Sequence, residues 1–327
     1  MDSILELDRL DVQVLVDNVT DTLSSAPPFV VREQQVLRRA GMLRASGAAM
    51  CCANHGLSLV LSATIGGATR RLLFDAGPLG DAVGWNGSRL GVDFAAIEAV
   101  VLSHGHWDHA GGLLAAFDLI SAANHGRAVP CYLHPGMFAE RGMSQSDGGV
   151  FPMDFIPTPE TLAAHGATPV VADTPRAPLE GWFYLSGEIP RRTAYERGLP
   201  GQVRRAPDGR WIPDPLLMDE RFVAARVRGK GVVVFSACSH AGIVNVLHAA
   251  RDAFPDDTLH AVMGGFHLSG ENEAIIAETV RDLGGFGLTT IVPAHCTGWR
   301  ALGALVRAFG EPMVAPGAVG KAFRFGD

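Results

Sequence analysis

Apolar positions along this chain fall into short runs that change between period two and helical spacing. Residues 10–16 alternate polar and apolar side chains, as a half-buried strand does, and Asp17-Asn18 marks the turn that ends it. Residues 57–64 and 70–74 read as the two strands of a hairpin joined across Gly66-Gly67. Residues 18–56 are mixed, with Pro27-Pro28 and several glycines, and predict a long irregular loop near the site. The run 99–102 is continuously apolar, a short buried strand, and 113–120 follows at helical spacing. Three later runs, 232–235, 260–263 and 289–292, also read as buried strands. Each is followed by loop residues and then a helical pattern, over 243–253, 271–283 and 299–309. Such alternation predicts an α/β layered fold.

Residues 135–180 carry many Pro and Gly residues and little periodicity. We treat about 135–220 as an irregular insertion, either a lid or an arm between two copies of a homodimer or a purely structural surface loop, in an otherwise single domain spanning 1–327. The chain has 327 residues, 47% hydrophobic, which is enough for a large core. A net charge of −7 disfavours a nucleic-acid partner. Lysine occurs only at 230 and 321, and we read the arginine excess as a bacterial coding bias. The acidic start lacks an export signal, and no apolar run is long enough for a membrane span. The five scattered cysteines are then expected to be reduced thiols of a cytoplasmic protein, with Cys51-Cys52 inside a strand.

The strand at 99–102 ends in Ser-His-Gly-His-Trp-Asp-His, which supplies His104, His106, Asp108 and His109. Three imidazoles and a carboxylate in six residues suit a borderline divalent metal ion better than they suit packing. The later strands also end in candidate chemistry: Ala-Cys-Ser-His at 237–240, Gly-Gly-Phe-His at 264–267 and Pro-Ala-His-Cys-Thr-Gly at 293–298. Open α/β sheets place ligands at strand C-termini. The pattern predicts helices that begin beside Ser239, Ser269 and Thr297-Gly298, so anions could bind there, although ordinary capping explains each equally well. His125, His165, His248 and His260 have no supporting pattern and are assigned to surface or packing. His55 and His134 stand at strand ends and could line a pocket.

The string His-x-His-x-Asp-His between a strand and Gly-Gly resembles the signature of the metallo-β-lactamase superfamily. The three later motifs, with Ser-Gly-Glu-Ile-Pro-Arg at 186–191, are similar to the branch containing archaeal dihydropterin–ribofuranosylaminobenzene-phosphate synthases. That resemblance implies an αββα sandwich and a pair of divalent metal ions, zinc first, with manganese or iron as alternatives. It implies His104 and His106 on one ion, Asp108 and His109 on the other, and His295 as the last ligand. Asp75 matches an aspartate that orients a metal-bound histidine. The usual Gly-His-Thr and Gly-Asp-Thr segments are missing. His240 is the candidate for the missing ligand, with Cys238 behind it, and His267 is placed on metal or on substrate.

The resulting expectation is a hydrolase of small phosphoesters, lactones or other esters. Asp108 would accept a proton or hold the nucleophile in line, and Ser239, Thr297 and Gly298 could bind an anionic group. The alternative is a non-hydrolytic transferase like the archaeal synthases. Di-iron redox chemistry is disfavoured because such relatives carry a Glu where this chain has His106.

Overall fold

Two mixed β-sheets pack face to face in the computed structural model, which describes residues 4–327. The larger sheet has eight strands, in the spatial order Ala167–Val171, Val129–Leu133, Ile97–Val101, Ala68–Phe74, Ser58–Ile65, Arg9–Val16, Ala322–Gly326 and Val30–Val31. The second runs Glu6–Leu7, Val223–Val227, Gly231–Ser236, Leu259–Gly265 and Thr290–Ala294, with Tyr184–Leu185 also paired to Val223–Val227.

Side-chain alternation sorts the apolar runs into three layers. Val233, Phe235, Ala261, Met263 and Val292 meet Leu72, Phe74, Ala99 and Val101 between the sheets. Val232, Val234, Val262 and Ile291 face outward, into a cluster shared with the helices Ile243–Ala253, Ile276–Leu283 and Trp299–Phe309. Leu73 and Val100 pack in a third cluster with Gly80–Leu90 and Leu113–Ala123. Because both faces of these strands are covered, their sequences are continuously apolar rather than alternating. The result is an αββα sandwich. Each fully buried Phe, Leu or Val contributes roughly 1.5–3 kcal/mol. A core of this size can therefore carry strained residues at its strand ends, which cost about 1–3 kcal/mol each.

Several segments differ from the sequence reading. The loop 18–56 contains the strand Val30–Val31 and the helix Glu33–Arg39, which buries only Glu33 and Leu37 and is too short to show periodicity. Cys51 and Cys52 lie outside any strand, one buried and one exposed, and both are free thiols. The helical pattern over 271–283 divides into a 3₁₀ turn, Gly270–Ile275, and the helix Ile276–Leu283. Within 135–220, Ala167–Val171 joins the edge of the large sheet, parallel to Val129–Leu133. Four short strands, Trp211–Pro213, Gln202–Arg205, Arg141–Ser144 and Val150–Pro152, form a small sheet of their own. Its pairing joins residues some sixty positions apart, which local periodicity does not reveal. Among the described residues, no helix is long and apolar enough to cross a membrane.

Candidate metal centre

The C-terminal ends of five strands converge on one spot. Ala68–Phe74 and Ile97–Val101, parallel neighbours in the large sheet, deliver Asp75 and the turn from His104 to His109. Gly231–Ser236, Leu259–Gly265 and Thr290–Ala294, parallel in the second sheet, deliver Cys238 and His240, His267, and His295 and Cys296. The site thus lies on the seam between the sheets. Gly105 lets its turn pass against the chain, because a Cβ there would sit 2.2 Å from the Met137 carbonyl oxygen. Four of the eight non-glycine residues with positive φ among those described are here: Asp75, Ser239, His267 and His295. Strain of this kind is concentrated at functional positions.

Several overlapping groups of donors meet here, and two of them share no residue. One ring nitrogen each of His104, His106 and His240 lie within 4.8 Å of one another, and so do donor atoms of Asp108, His109 and His295. Cys238 Sγ joins His104 and His109 in a third such group. His104 Nε2 is 3.0 Å from His106 Nδ1. Asp108 Oδ2 lies 3.4 Å from His295 Nε2, 3.5 Å from His55 Nε2 and 3.7 Å from His109 Nε2. Cys238 Sγ is 3.1 Å from Cys296 Sγ and 3.4 Å from His267 Nδ1. His109 Nε2, His295 Nε2 and both ring nitrogens of His240 are buried without a hydrogen-bond partner. Orphaned polar atoms at this depth cost about 1–3 kcal/mol each. Their clustering, in a nitrogen, oxygen and sulfur donor set, fits a divalent ion.

Neighbouring carboxylate and amide groups orient the rings. Asp75 is fully buried and accepts three hydrogen bonds. The Ser103 N–H donates to it at 2.7 Å, the Ser103 hydroxyl at 2.8 Å and His109 Nδ1 at 2.7 Å. This leaves His109 Nε2 aimed at the centre, as second carboxylates do for metal-bound imidazoles. Asn18 Oδ1 lies 2.9 Å from His295 Nδ1, and Gln202 Oε1 lies 2.8 Å from His106 Nε2. Neither is marked in the sequence: Asn18 reads only as a turn residue, and Gln202 lies 96 positions from its partner.

Charges follow from this geometry. Burial lowers His104 well below the ordinary histidine value and lowers His106 to about 4, so both are neutral and ready to donate a lone pair. Burial opposes ionisation of Asp108, but His109 and His295 outweigh it and hold the carboxyl well below the usual range. Burial would also lower His109, yet the Asp108 and Asp75 carboxylates raise it to about 9. A divalent ion on His109 Nε2 must displace a proton. Metal affinity at the Asp108, His109 and His295 group should therefore rise about tenfold per pH unit toward pH 9 and then level off. The same raised value gives metal-free protein stability that is complete below pH 6.5 and lost as pH rises through about 9. Competition with an indicator dye across this range measures the first effect, and a flat profile would show that no such proton is displaced.

Two anion-binding candidates need correction. The Ser239 hydroxyl donates to Gly265 O at 2.6 Å and does not cap a helix, which starts only at Ile243. Two N–H groups of its first turn, those of Val244 and Asn245, donate to Glu196. Thr297 is buried, donating to Ala294 O at 2.7 Å and accepting from Phe266 N at 3.0 Å. Gly298, at the N-terminus of Trp299–Phe309, does reach the site. It lines a cavity of about 420 Å³ with His55, Trp107, Met153, Leu199, His267 and Ser269. His134 lies elsewhere, 3.7 Å from Glu188.

Comparison with known proteins agrees with this architecture. The model of the metallo-β-lactamase superfamily matches residues 56–295. The 7,8-dihydropterin-6-methyl-4-(β-D-ribofuranosyl)-aminobenzene-5'-phosphate synthase of Methanocaldococcus jannaschii is 28% identical over 273 residues, covering 83% of this chain and 90% of the relative. An uncharacterised protein of the same archaeon is 28% identical over 252 residues, 76% of this chain and 86% of the relative. Among solved structures, Tm1679, a metal-dependent hydrolase of the β-lactamase superfamily, superposes with a TM-score of 0.70 at 23% identity, covering 97% of this chain and all of the other. With strand ends, donor set and family match in agreement, the chain belongs to the metallo-β-lactamase superfamily.

Proposed function

We propose that this protein is a metal-dependent hydrolase of a small anionic phosphoester, lactone or other ester, with two divalent ions, zinc first, at the two donor groups. One observation carries the reading: six buried donors stand in two groups that share no residue, with ring nitrogens left unpartnered, beside an open cavity of about 420 Å³. When bound there, such ions supply Lewis acidity that polarises an ester oxygen and brings the pKa of water from ~15.7 toward ~7.

The chain's own groups do the rest. Asp108, held ionised by the imidazoles around it, is a weak base. Its part is to orient the attacking water by accepting a hydrogen bond from it. His267 is on the cavity wall. Burial would lower its pKa, but interaction with Cys296 raises it, so it can carry a proton to the leaving group. Gly298 stands at the N-terminus of Trp299–Phe309, whose free N–H groups favour an anionic substrate group, and Ser269 lines the cavity beside it. Trp107, Met153 and Leu199 line the same cavity and narrow water's access to it.

A transferase is the second reading, supported by the 28% identity with the archaeal synthase across most of both chains. A panel of phosphoesters, lactones and esters separates the two. Metal-loaded protein should release product with water as the only co-substrate, while His106→Ala should not. Turnover only after a second organic substrate is added would support the transferase. Activity no higher than that of the His106→Ala control on every panel member would count against a hydrolase.

A further inference from the structure

Asp219, Glu220 and Arg221 touch both halves of the first donor group, yet no sequence motif marks them. Asp219 Oδ2 accepts the Gly105 N–H at 2.9 Å, and the Arg221 N–H donates to Ser103 O at 2.9 Å. These two bonds grip the main chain on either side of His104. The side chain between them reaches the opposite sheet: Glu220 Oε1 accepts the His240 N–H at 2.9 Å, and Oε2 accepts the Ala241 N–H at 2.6 Å. All three residues are buried. The His240 ring centroid lies 4.8 Å from that of His104 and 4.9 Å from that of His106.

We infer that Asp219–Arg221 is a positioning strap that fixes the His104/His106 turn of one sheet against the His240 turn of the other, and so sets the first metal position. The inference rests on the metal-centre reading above. Metal sites tolerate ligand displacements of only a few tenths of an ångström. His240 has no hydrogen bond on either ring nitrogen, so only its main chain and packing hold it. Ser239, just before it, has φ 55°, a conformation that must be held by its surroundings. Glu220 gives each of the two successive N–H groups an oxygen of its own, whereas a glutamine holding the same rotamer would turn its NH₂ group toward one of them. A different acid does this work for the other group. Asp17 Oδ1 accepts the His295 N–H at 3.0 Å and the Asn18 N–H at 2.6 Å.

Cobalt(II) titration of the full chain, read by visible absorption, tests this. The parent should take up about two ions. In Glu220→Gln one position should bind 10–100-fold more weakly, with an altered cobalt spectrum, while the other is unchanged. Asp219→Asn should weaken the same position through Gly105, and it carries the test if Glu220→Gln fails to fold. Asp17→Ala, which leaves the His295 and Asn18 N–H groups without their acceptor, should weaken only the other position. Unchanged affinities and spectra in these variants would overturn the strap. So would equal weakening of both positions in step with the folded fraction, which is what a merely structural acid would give. A parent that binds no cobalt would overturn the metal-centre reading instead.

Discussion

Alanine at His240 should lower turnover by about a thousandfold or more while leaving the metal-free fold nearly as stable as before. The first effect follows from losing a ligand: several kcal/mol of transition-state stabilisation is a factor of about 10³. The second follows from an unusual feature of this side chain. Both its ring nitrogens are buried and unpartnered. Removing it discards a desolvation penalty of about 1–3 kcal/mol, which offsets the packing lost with the ring. Thermal unfolding with and without metal reads the balance. Metal at a thousand times its Kd stabilises by about 4.1 kcal/mol per site, and the variant should lose one such increment. If His240→Ala kept full activity and full metal stabilisation, His240 would stand outside the centre.

Asp75→Ala should be the costliest single change for the fold itself, about 3–5 kcal/mol. It strands three buried donors at once: the Ser103 N–H, the Ser103 hydroxyl and His109 Nδ1. Asp75→Asn separates fold from function. The amide oxygen can still accept the Ser103 N–H, so much of the stability returns. Its NH₂ group, however, donates toward His109 Nδ1 and drives the proton to Nε2, the atom aimed at the centre. Urea unfolding and metal titration together measure this. Asp75→Asn should recover stability relative to Asp75→Ala but bind metal about 10–100-fold more weakly than the parent. An Asp75→Ala protein within about 1 kcal/mol of the parent would contradict the role given to Asp75.

How much of this was legible in the sequence depends on the distance between partners. His104, His106, Asp108 and His109 fall within one turn, so their donor pattern is local. The buried strands announced themselves as apolar runs because both faces are covered, and the motifs ending them pointed to one edge of the sandwich. The groups that hold the turns in place gave no such signal. Asp219 serves Gly105 from 114 positions away, and Asp17 serves His295 from 278. Each looks alone like an ordinary turn acid. The reading of Ser239 failed for a related reason. A serine before an apolar run resembles a cap, but Glu196, 48 positions earlier than Val244, already takes that helix terminus. The segment 135–220 looked structureless because its short strands find their partners only after the chain has returned.

The most direct test of the metal centre is elemental analysis of the parent and of His240→Ala, both purified without chelator and then equilibrated with a divalent ion. About two tightly held ions per chain in the parent and about one in His240→Ala is the expected result. A folded parent that holds none and takes up none on titration would contradict the centre, and with it the hydrolytic chemistry built on it.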